Sequence, residues 1–177
     1  MLTCAAWAVG AQLVAGLSIA ETWLPLWSVL ATFGVFLAVL DARTTWLPRS
    51  VTYAGWASMA AAALLSLTLG AEASDLLRML TGAAVAGALY LTVWAVTRGG
   101  FGFGDVRFAP LLGAATAAES WTLLLWGLTL GTVVGALHGT TRLLRRRAGS
   151  FPYAPSMLAG SYLAAAALRL LVLGQSP

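Results

Sequence analysis

Residues 121–139 read WTLLLWGLTLGTVVGALHG and contain no aspartate, glutamate, lysine or arginine. A helix rises about 1.5 Å per residue, so this stretch is long enough to cross the hydrocarbon core of a bilayer, which is about 30 Å thick. Six other stretches have the same apolar character. The sequence therefore predicts an all-α, polytopic membrane helical bundle of seven transmembrane helices. The predicted spans are 2–20, 24–40, 51–69, 76–96, 106–118, 121–139 and 155–173.

The composition agrees with this fold class. Of the 177 residues, 60 % are hydrophobic and 9 % are charged, and the mean hydropathy is +0.86. A soluble domain carries about 25 % charged residues, so this chain has too few charges to cover a water-exposed surface. A soluble globular protein, a disordered tail and a nucleic-acid-binding module are excluded. The length predicts a single membrane-embedded domain, 1–177, without a separate soluble domain.

The first apolar stretch resembles a signal peptide, but no basic residue precedes it, so we expect it to be retained as a span. Cys4 is the single cysteine and His138 the single histidine. Neither a disulfide framework nor a zinc site built from cysteine pairs can form within the chain. We expect the function to need no metal and no cofactor.

The basic residues, ten arginines and no lysine, predict the topology. If all seven spans cross, the loops around 41–50, 97–107 and 140–152 share one side of the membrane. Positive residues concentrate on the cytoplasmic side, so this side is predicted to be cytoplasmic, with the N-terminus inside. The short fifth span, 106–118, is compatible with a tilted, partly re-entrant or protein-buried helix, and six crossings are the alternative. The arginines on the predicted cytoplasmic side are Arg43, Arg49, Arg98, Arg107, Arg142, Arg145, Arg146 and Arg147, against Arg78 and Arg169 on the other.

Two of the six acidic residues, Asp41 and Asp105, fall on the predicted cytoplasmic side, while the other four lie in outer loops. Each has a structural interpretation, because Asp105 fits the first turn of a helix and Asp41 could pair with Arg43. Taken together, the two aspartates also allow a catalytic interpretation. Two carboxylates held close share a proton, so one can hydrogen-bond a scissile carbonyl while the other activates water. Which residue is the base stays open, since such a pair titrates as a unit.

Asp105 follows a glycine-rich stretch, 99–104, which cannot be a stable helix interior. Gly102 and Gly104 leave room for another chain to approach the carboxylate. The spacing completes neither G-x-G-x-x-G nor a following Gly-Lys-Ser/Thr, so a phosphate-binding loop is disfavoured.

These elements resemble the type IV prepilin peptidases, a branch of the G-x-G-D membrane-embedded aspartic proteases. Gly102-Phe103-Gly104-Asp105-Val106-Arg107-Phe108 is similar to the second aspartate motif of that family. Asp41, followed by Leu47-Pro48, is similar to the first, and 151–155 (FPYAP) is similar to a late segment of the family.

The resemblance implies an intramembrane aspartic endopeptidase of the bacterial plasma membrane that cleaves the basic leader from pilin-like precursors. It implies Asp41 and Asp105 as catalytic residues, with Gly102, Gly104 and Pro48 shaping the site. The family's cytoplasmic insert with paired cysteines, associated with N-methylation, has no counterpart here, which implies a short, peptidase-only member.

Arg43 and Arg107 each stand two residues after an aspartate. Anchoring to membrane lipid is the simpler role for them, and contact with an acidic residue of the substrate is the alternative. Two other functions stay open for the whole chain. A small transporter or proton pathway would place acids near the bilayer midplane, and a non-catalytic scaffold of a pilus or secretion machine would tolerate Asp→Asn at both positions.

Overall fold

The computed structural model of the protein describes residues 2–98, 102–145 and 151–174. These residues form seven helices and no strand, which confirms the predicted all-α membrane bundle. Gly99, Gly100 and Phe101 of the glycine-rich stretch, and Arg146 and Arg147 of the arginine cluster, lie outside the described residues. The helices are α1 (Leu2–Ser18), α2 (Glu21–Thr44), α3 (Arg49–Thr68), α4 (Ala73–Val96), α5 (Phe103–Glu119), α6 (Trp121–Leu144) and α7 (Ala154–Leu173).

Each predicted span corresponds to one helix, but the helices differ in their capacity to cross a membrane. Helices α2, α3, α4, α6 and α7 have 20 to 24 residues and are long and apolar enough to cross a bilayer. Helices α1 and α5 have 17 residues each. The structure therefore supports five crossings by length and composition, and seven crossings stay a prediction.

Helix α2 continues beyond its predicted end at residue 40. It begins with a 3₁₀ turn at Glu21–Trp23, widens into a π-helical turn at Leu30–Gly34 and ends at Thr44. The end is marked by Thr45, whose φ of 53° is left-handed and whose N–H donates to the Asp41 carbonyl at 2.7 Å. Asp41 therefore lies within the last turns of the helix and does not follow it.

Helix α5 lies at the centre of the bundle, in contact with α2, α3, α4, α6 and α7. Its approach to α4 is close because glycines face each other: a Cβ on Gly113 would lie 2.4 Å from the Gly82 carbonyl oxygen. Most residues of α5 are buried, among them Phe108, Ala115 and Ala117. The short fifth span is thus a protein-buried helix.

The α6–α7 pair is built in the same way. A Cβ on Gly160 would lie 2.1 Å from the Gly131 nitrogen, so only glycine fits at this crossing. The backbones of α6 and α7 are therefore in close contact at this crossing.

The C-terminal ends of α2, α4 and α6 and the first turns of α3, α5 and α7 meet at one end of the bundle. Direct contacts join them: the indole N–H of Trp56 donates to the Arg107 carbonyl at 3.0 Å, and the rings of Trp94 and Phe103 are 5.1 Å apart. The described parts of the loops that the charge pattern assigned to one side therefore lie at one end of the bundle. Arg78 lies at the other end, where it donates to the Ala117 and Ala118 carbonyls that end α5.

Candidate active site

Asp41 is buried, with 4 % of its surface exposed, and it binds the first turn of another helix. Its Oδ2 accepts the N–H of Ala154, the first residue of α7, at 3.1 Å, and the Tyr153 N–H also interacts with this carboxylate. The first N–H groups of a helix have no partner within the helix and favour a negative charge nearby. Pro155 comes next and has no N–H to satisfy. Asp41 thus caps α7 from 113 residues away in the sequence.

Asp105 is equally buried but is held locally. It lies in the first turn of α5, where its N–H donates to the Gly102 carbonyl at 3.1 Å. Its Oδ2 lies close to Gly102, on which a Cβ would stand 2.9 Å from that oxygen. In the described part of the protein, the buried Oδ1 has no hydrogen-bond partner.

The structure brings the two aspartates together at the first turn of α7. The Asp105 carboxylate interacts with the Ala154 N–H that Asp41 accepts, and it also interacts electrostatically with Asp41 itself. The aspartates are 64 residues apart in sequence and lie on different helices. Two buried carboxylates that interact in this way cannot both ionise easily, so the arrangement is suited to sharing one proton.

Gly104 and Pro48 connect the two aspartate elements. A Cβ on Gly104 would lie 2.8 Å from the Leu47 Cβ, so the space beside this glycine is filled by the buried Leu47 side chain. Pro48 directly precedes α3 and accepts the Thr52 N–H at 3.1 Å, which fixes the start of that helix. The segment between α2 and α3 is thereby packed onto the start of α5.

The two arginines near the site contact neighbours other than the aspartates. The Arg43 guanidinium is exposed and donates to the Thr3 hydroxyl of α1 at 3.3 Å, so the suggested pair with Asp41 does not form among the described residues. The Arg107 guanidinium lies over the Phe103 ring, 4.8 Å from its centre. Both arginines remain available at the surface of this end of the bundle.

An aromatic pair beside the aspartates was not expected from the sequence. Tyr90 of α4 is 5 % exposed, and its hydroxyl interacts with the side chains of Tyr153 and Thr132 and, electrostatically, with Asp105. The rings of Tyr90 and Tyr153 are 6.0 Å apart. A tyrosine inside an otherwise apolar helix, close to the end that carries the aspartates, is the signal that could have identified Tyr90.

An apolar groove of about 760 Å³ runs along the Asp41 side of the site. Ala38 and Ala42, which flank Asp41 on α2, line it, as does Pro155, which follows Ala154 on α7. Its walls come from α1, α2, α6 and α7. Small side chains keep it open, including Gly10, Ala11 and Ala159.

No group of three or more histidine, cysteine, aspartate or glutamate side chains is positioned to hold a metal ion within residues 2–98, 102–145 and 151–174. The chemistry that the described site can offer is that of its two carboxylates. Such a pair can act as acid and base towards a carbonyl and a water molecule.

Comparison with known proteins identifies the family of the chain. Residues 28–140, which include both aspartates, match the model of the type IV leader peptidase family. The chain is similar to a prepilin leader peptidase/N-methyltransferase of Bacillus subtilis (strain 168), with 31 % identity over 134 residues. That alignment covers 73 % of this chain and 50 % of the relative, so the chain spans about half of the relative's length. No solved structure gives a significant match. On the family match and this identity, the chain belongs to the type IV leader peptidase family.

Proposed function

We propose that the protein is an intramembrane aspartic endopeptidase that removes the basic leader from pilin-like precursors at the cytoplasmic boundary of the membrane. The observation that carries this proposal is the pair Asp41 and Asp105, which come from two helices and are both buried against the Ala154 N–H. Burial of two interacting carboxylates costs free energy that a purely structural role does not explain.

In the proposed reaction, the ionised aspartate takes a proton from a water molecule, whose oxygen attacks the scissile carbonyl carbon. The protonated aspartate donates a hydrogen bond and then its proton to the carbonyl oxygen. The tetrahedral intermediate then collapses: the C–N bond breaks, one of the two hydroxyl groups returns its proton to the pair, and the leaving amine takes a proton from the pair, which again holds one proton. The peptide bond must be in an extended segment, because helical carbonyls are hydrogen-bonded and shielded.

The groove beside Asp41 supports a helical, apolar substrate segment. Its small-residue lining suits the membrane-embedded helix that follows the leader in pilin-like precursors. Gly102 is exposed beside Asp105, which leaves that carboxylate approachable from outside the bundle. Arg43 and Arg107 would then contact either an acidic residue of the substrate or lipid headgroups.

The proposed orientation rests on the arginines. Arg43, Arg49, Arg98, Arg107, Arg142 and Arg145 all lie near the end of the bundle that holds the aspartates. Positive residues favour the cytoplasmic face, so we place this end in the cytoplasm of a bacterial cell.

We do not extend the proposal to the methyltransferase activity named for the relative. The resemblance associates that activity with paired cysteines, and Cys4 is the single cysteine of this chain. Transport is also less well supported, because the two acids lie at one end of the bundle.

The test is a cleavage assay. The chain is co-expressed with a pilin-like precursor, and the N-terminus of the precursor is read by mass spectrometry. We expect wild type to trim the leader, and Asp41→Asn and Asp105→Asn to leave it intact. Glu21→Gln, which removes an exposed acid from the other end of α2, is the matched control and should trim normally. Trimming that survives both aspartate changes would exclude the aspartic mechanism, and no trimming by wild type would contradict the proposed function.

A further inference from the structure

The Tyr153 ring packs against Gly135 of α6, where there is no room for a side chain on residue 135. A Cβ on Gly135 would lie 2.3 Å from Cε2 and 3.0 Å from Cζ of the Tyr153 ring. The ring therefore occupies the volume that a side chain at residue 135 would need. Packing of this kind fixes the position of the ring relative to α6.

A second helix holds the same ring. The Tyr153 side chain interacts with the Tyr90 hydroxyl of α4, and the ring centre of Phe151 lies 5.9 Å away. Tyr90 is itself buried, so it gives Tyr153 a rigid contact. Tyr153 is thus held by α4 and α6 together.

Tyr153 is also the residue from which α7 starts. Its carbonyl accepts the N–H groups of Ser156 at 3.0 Å and of Met157 at 3.2 Å. The next N–H along the chain, that of Ala154, is the one that Asp41 accepts. One residue therefore links the aromatic packing to the hydrogen bond at the site, and a displaced ring would displace that N–H.

We propose that Tyr153, seated on Gly135 and held by Tyr90, is a positioning residue that keeps the Ala154 N–H directed at Asp41, so that Asp41 is the ionised member of the pair and Asp105 carries the shared proton. A hydrogen bond donated to a carboxylate favours its ionised form, as does the N-terminal end of a helix. Asp105 shares the Ala154 N–H but not that of Tyr153, and its buried Oδ1 has no partner among the described residues, so its negative charge is less stabilised than that of Asp41. The assignment of base and acid rests on the proposed peptidase function.

The kinetic test compares two glycine substitutions on one face of α6. Gly135→Ala introduces a methyl group against the Tyr153 ring, whereas a Cβ on Gly139, one turn later, meets nothing within 4 Å. We expect Gly135→Ala to lower kcat by about tenfold to a hundredfold, since small displacements of reacting groups have effects of this size. KM should change by less than about twofold, because Gly135 itself does not line the groove for the substrate helix. Gly139→Ala should behave as wild type.

The pH profile separates positioning from a general loss of structure. When the Ala154 N–H no longer points at Asp41, the Asp41 carboxylate ionises only at a higher pH. The acidic limb of the kcat profile should therefore move to higher pH. Tyr90→Phe removes the hydroxyl that contacts Tyr153 and leaves the ring in place, so it should move the acidic limb in the same direction by less. If Gly135→Ala fails to accumulate in membranes, Tyr90→Phe takes its place. Unchanged kcat and an unchanged pH profile in both variants would overturn the proposal.

A thermal-unfolding cycle tests the same link without any cleavage assay. Asp41→Asn should lower the Tm in detergent by more in the Gly135 background than in the Gly135→Ala background, where the N–H is already displaced. Equal shifts in both backgrounds would refute the coupling even if the peptidase function stands. If the shifts differ but no precursor is trimmed, the coupling holds and the proposed function is the part that fails.

Discussion

Asp41 and Asp105 are buried to the same extent but differ in the number of hydrogen bonds that hold them. Asp41 accepts the main-chain N–H groups of Tyr153 and Ala154 at the start of α7. Asp105 lies in the first turn of its own helix, shares only the Ala154 N–H and leaves Oδ1 without a partner in the described residues. A buried carboxylate that accepts hydrogen bonds contributes to stability, whereas an unpartnered one costs free energy. The comparison predicts that Asp41 contributes to stability by linking α2 to α7, whereas Asp105 contributes little to it.

The largest effect expected from this comparison is on stability. Asp41→Asn should lower the free energy of unfolding by about 1.5–3 kcal/mol, the usual worth of hydrogen bonds to a charged group. Asp105→Asn should leave it unchanged or raise it, because the substitution removes a buried carboxylate whose Oδ1 is unpartnered. Thermal unfolding of the two variants in the same detergent measures the difference. Equal losses would mean that the two sites are held alike.

A second effect concerns the two glycines beside the aspartates. Gly104→Ala should cost about 1–3 kcal/mol, because its Cβ would stand 2.8 Å from the Leu47 Cβ and must push the α2–α3 segment away. Gly102→Ala places its Cβ against the movable Oδ2 of Asp105 alone, at 2.9 Å, so it should spare stability and slow cleavage. The measurement is unfolding and cleavage of both variants. Leu47→Ala should relieve the Gly104→Ala variant and leave the Gly102→Ala variant unchanged.

The smallest expected effect is on substrate binding, and it tests whether the substrate approaches the site from the Asp41 side. The groove borders Asp41 and is lined by residues of α1, α2, α6 and α7, with none from α5. Gly10→Phe would fill it from α1, since a Cβ there meets nothing within 4 Å. We expect KM to rise about tenfold, as for a mismatch in an apolar pocket, with kcat little changed. Gly16→Phe, on the same helix but outside the groove, is the control, and an equal rise there would exclude this groove as the binding surface.

Much of the fold could be predicted because it follows from hydropathy alone. The seven apolar stretches correspond to seven helices in the described residues, and the arginine distribution correctly grouped the helix ends that contain Asp41 and Asp105. One helix start differs from the prediction: α5 begins at Phe103 and not at 106, because Gly104 and Asp105 are part of its first turn.

The tertiary contacts of the site could not be predicted from the sequence, because they depend on which small residues of one helix pack against which large residues of another. Nothing near Asp41 in the sequence indicates Ala154 as its partner, and the nearby Arg43 proved to contact Thr3. The packing of Tyr153 on Gly135 is likewise invisible until α6 and α7 are set side by side. Local spacing suggested an ion pair that the fold does not form.

The π-helical turn at Leu30–Gly34 allows α2 to lose one residue without changing the direction in which its later side chains point. Trp27 before the turn packs on Tyr162 of α7 at 5.0 Å between ring centres, and Asp41 after the turn bonds to Ala154 of the same helix. A π-helical turn contains one residue more than an α-helical turn, so it takes up a surplus residue while both flanking segments keep their facing. Elsewhere in a helix, one residue gained or lost turns everything beyond it by about 100°. A one-residue deletion within Leu30–Gly34 would therefore leave Asp41 directed at α7, and the same deletion between Val35 and Asp41 would direct it elsewhere.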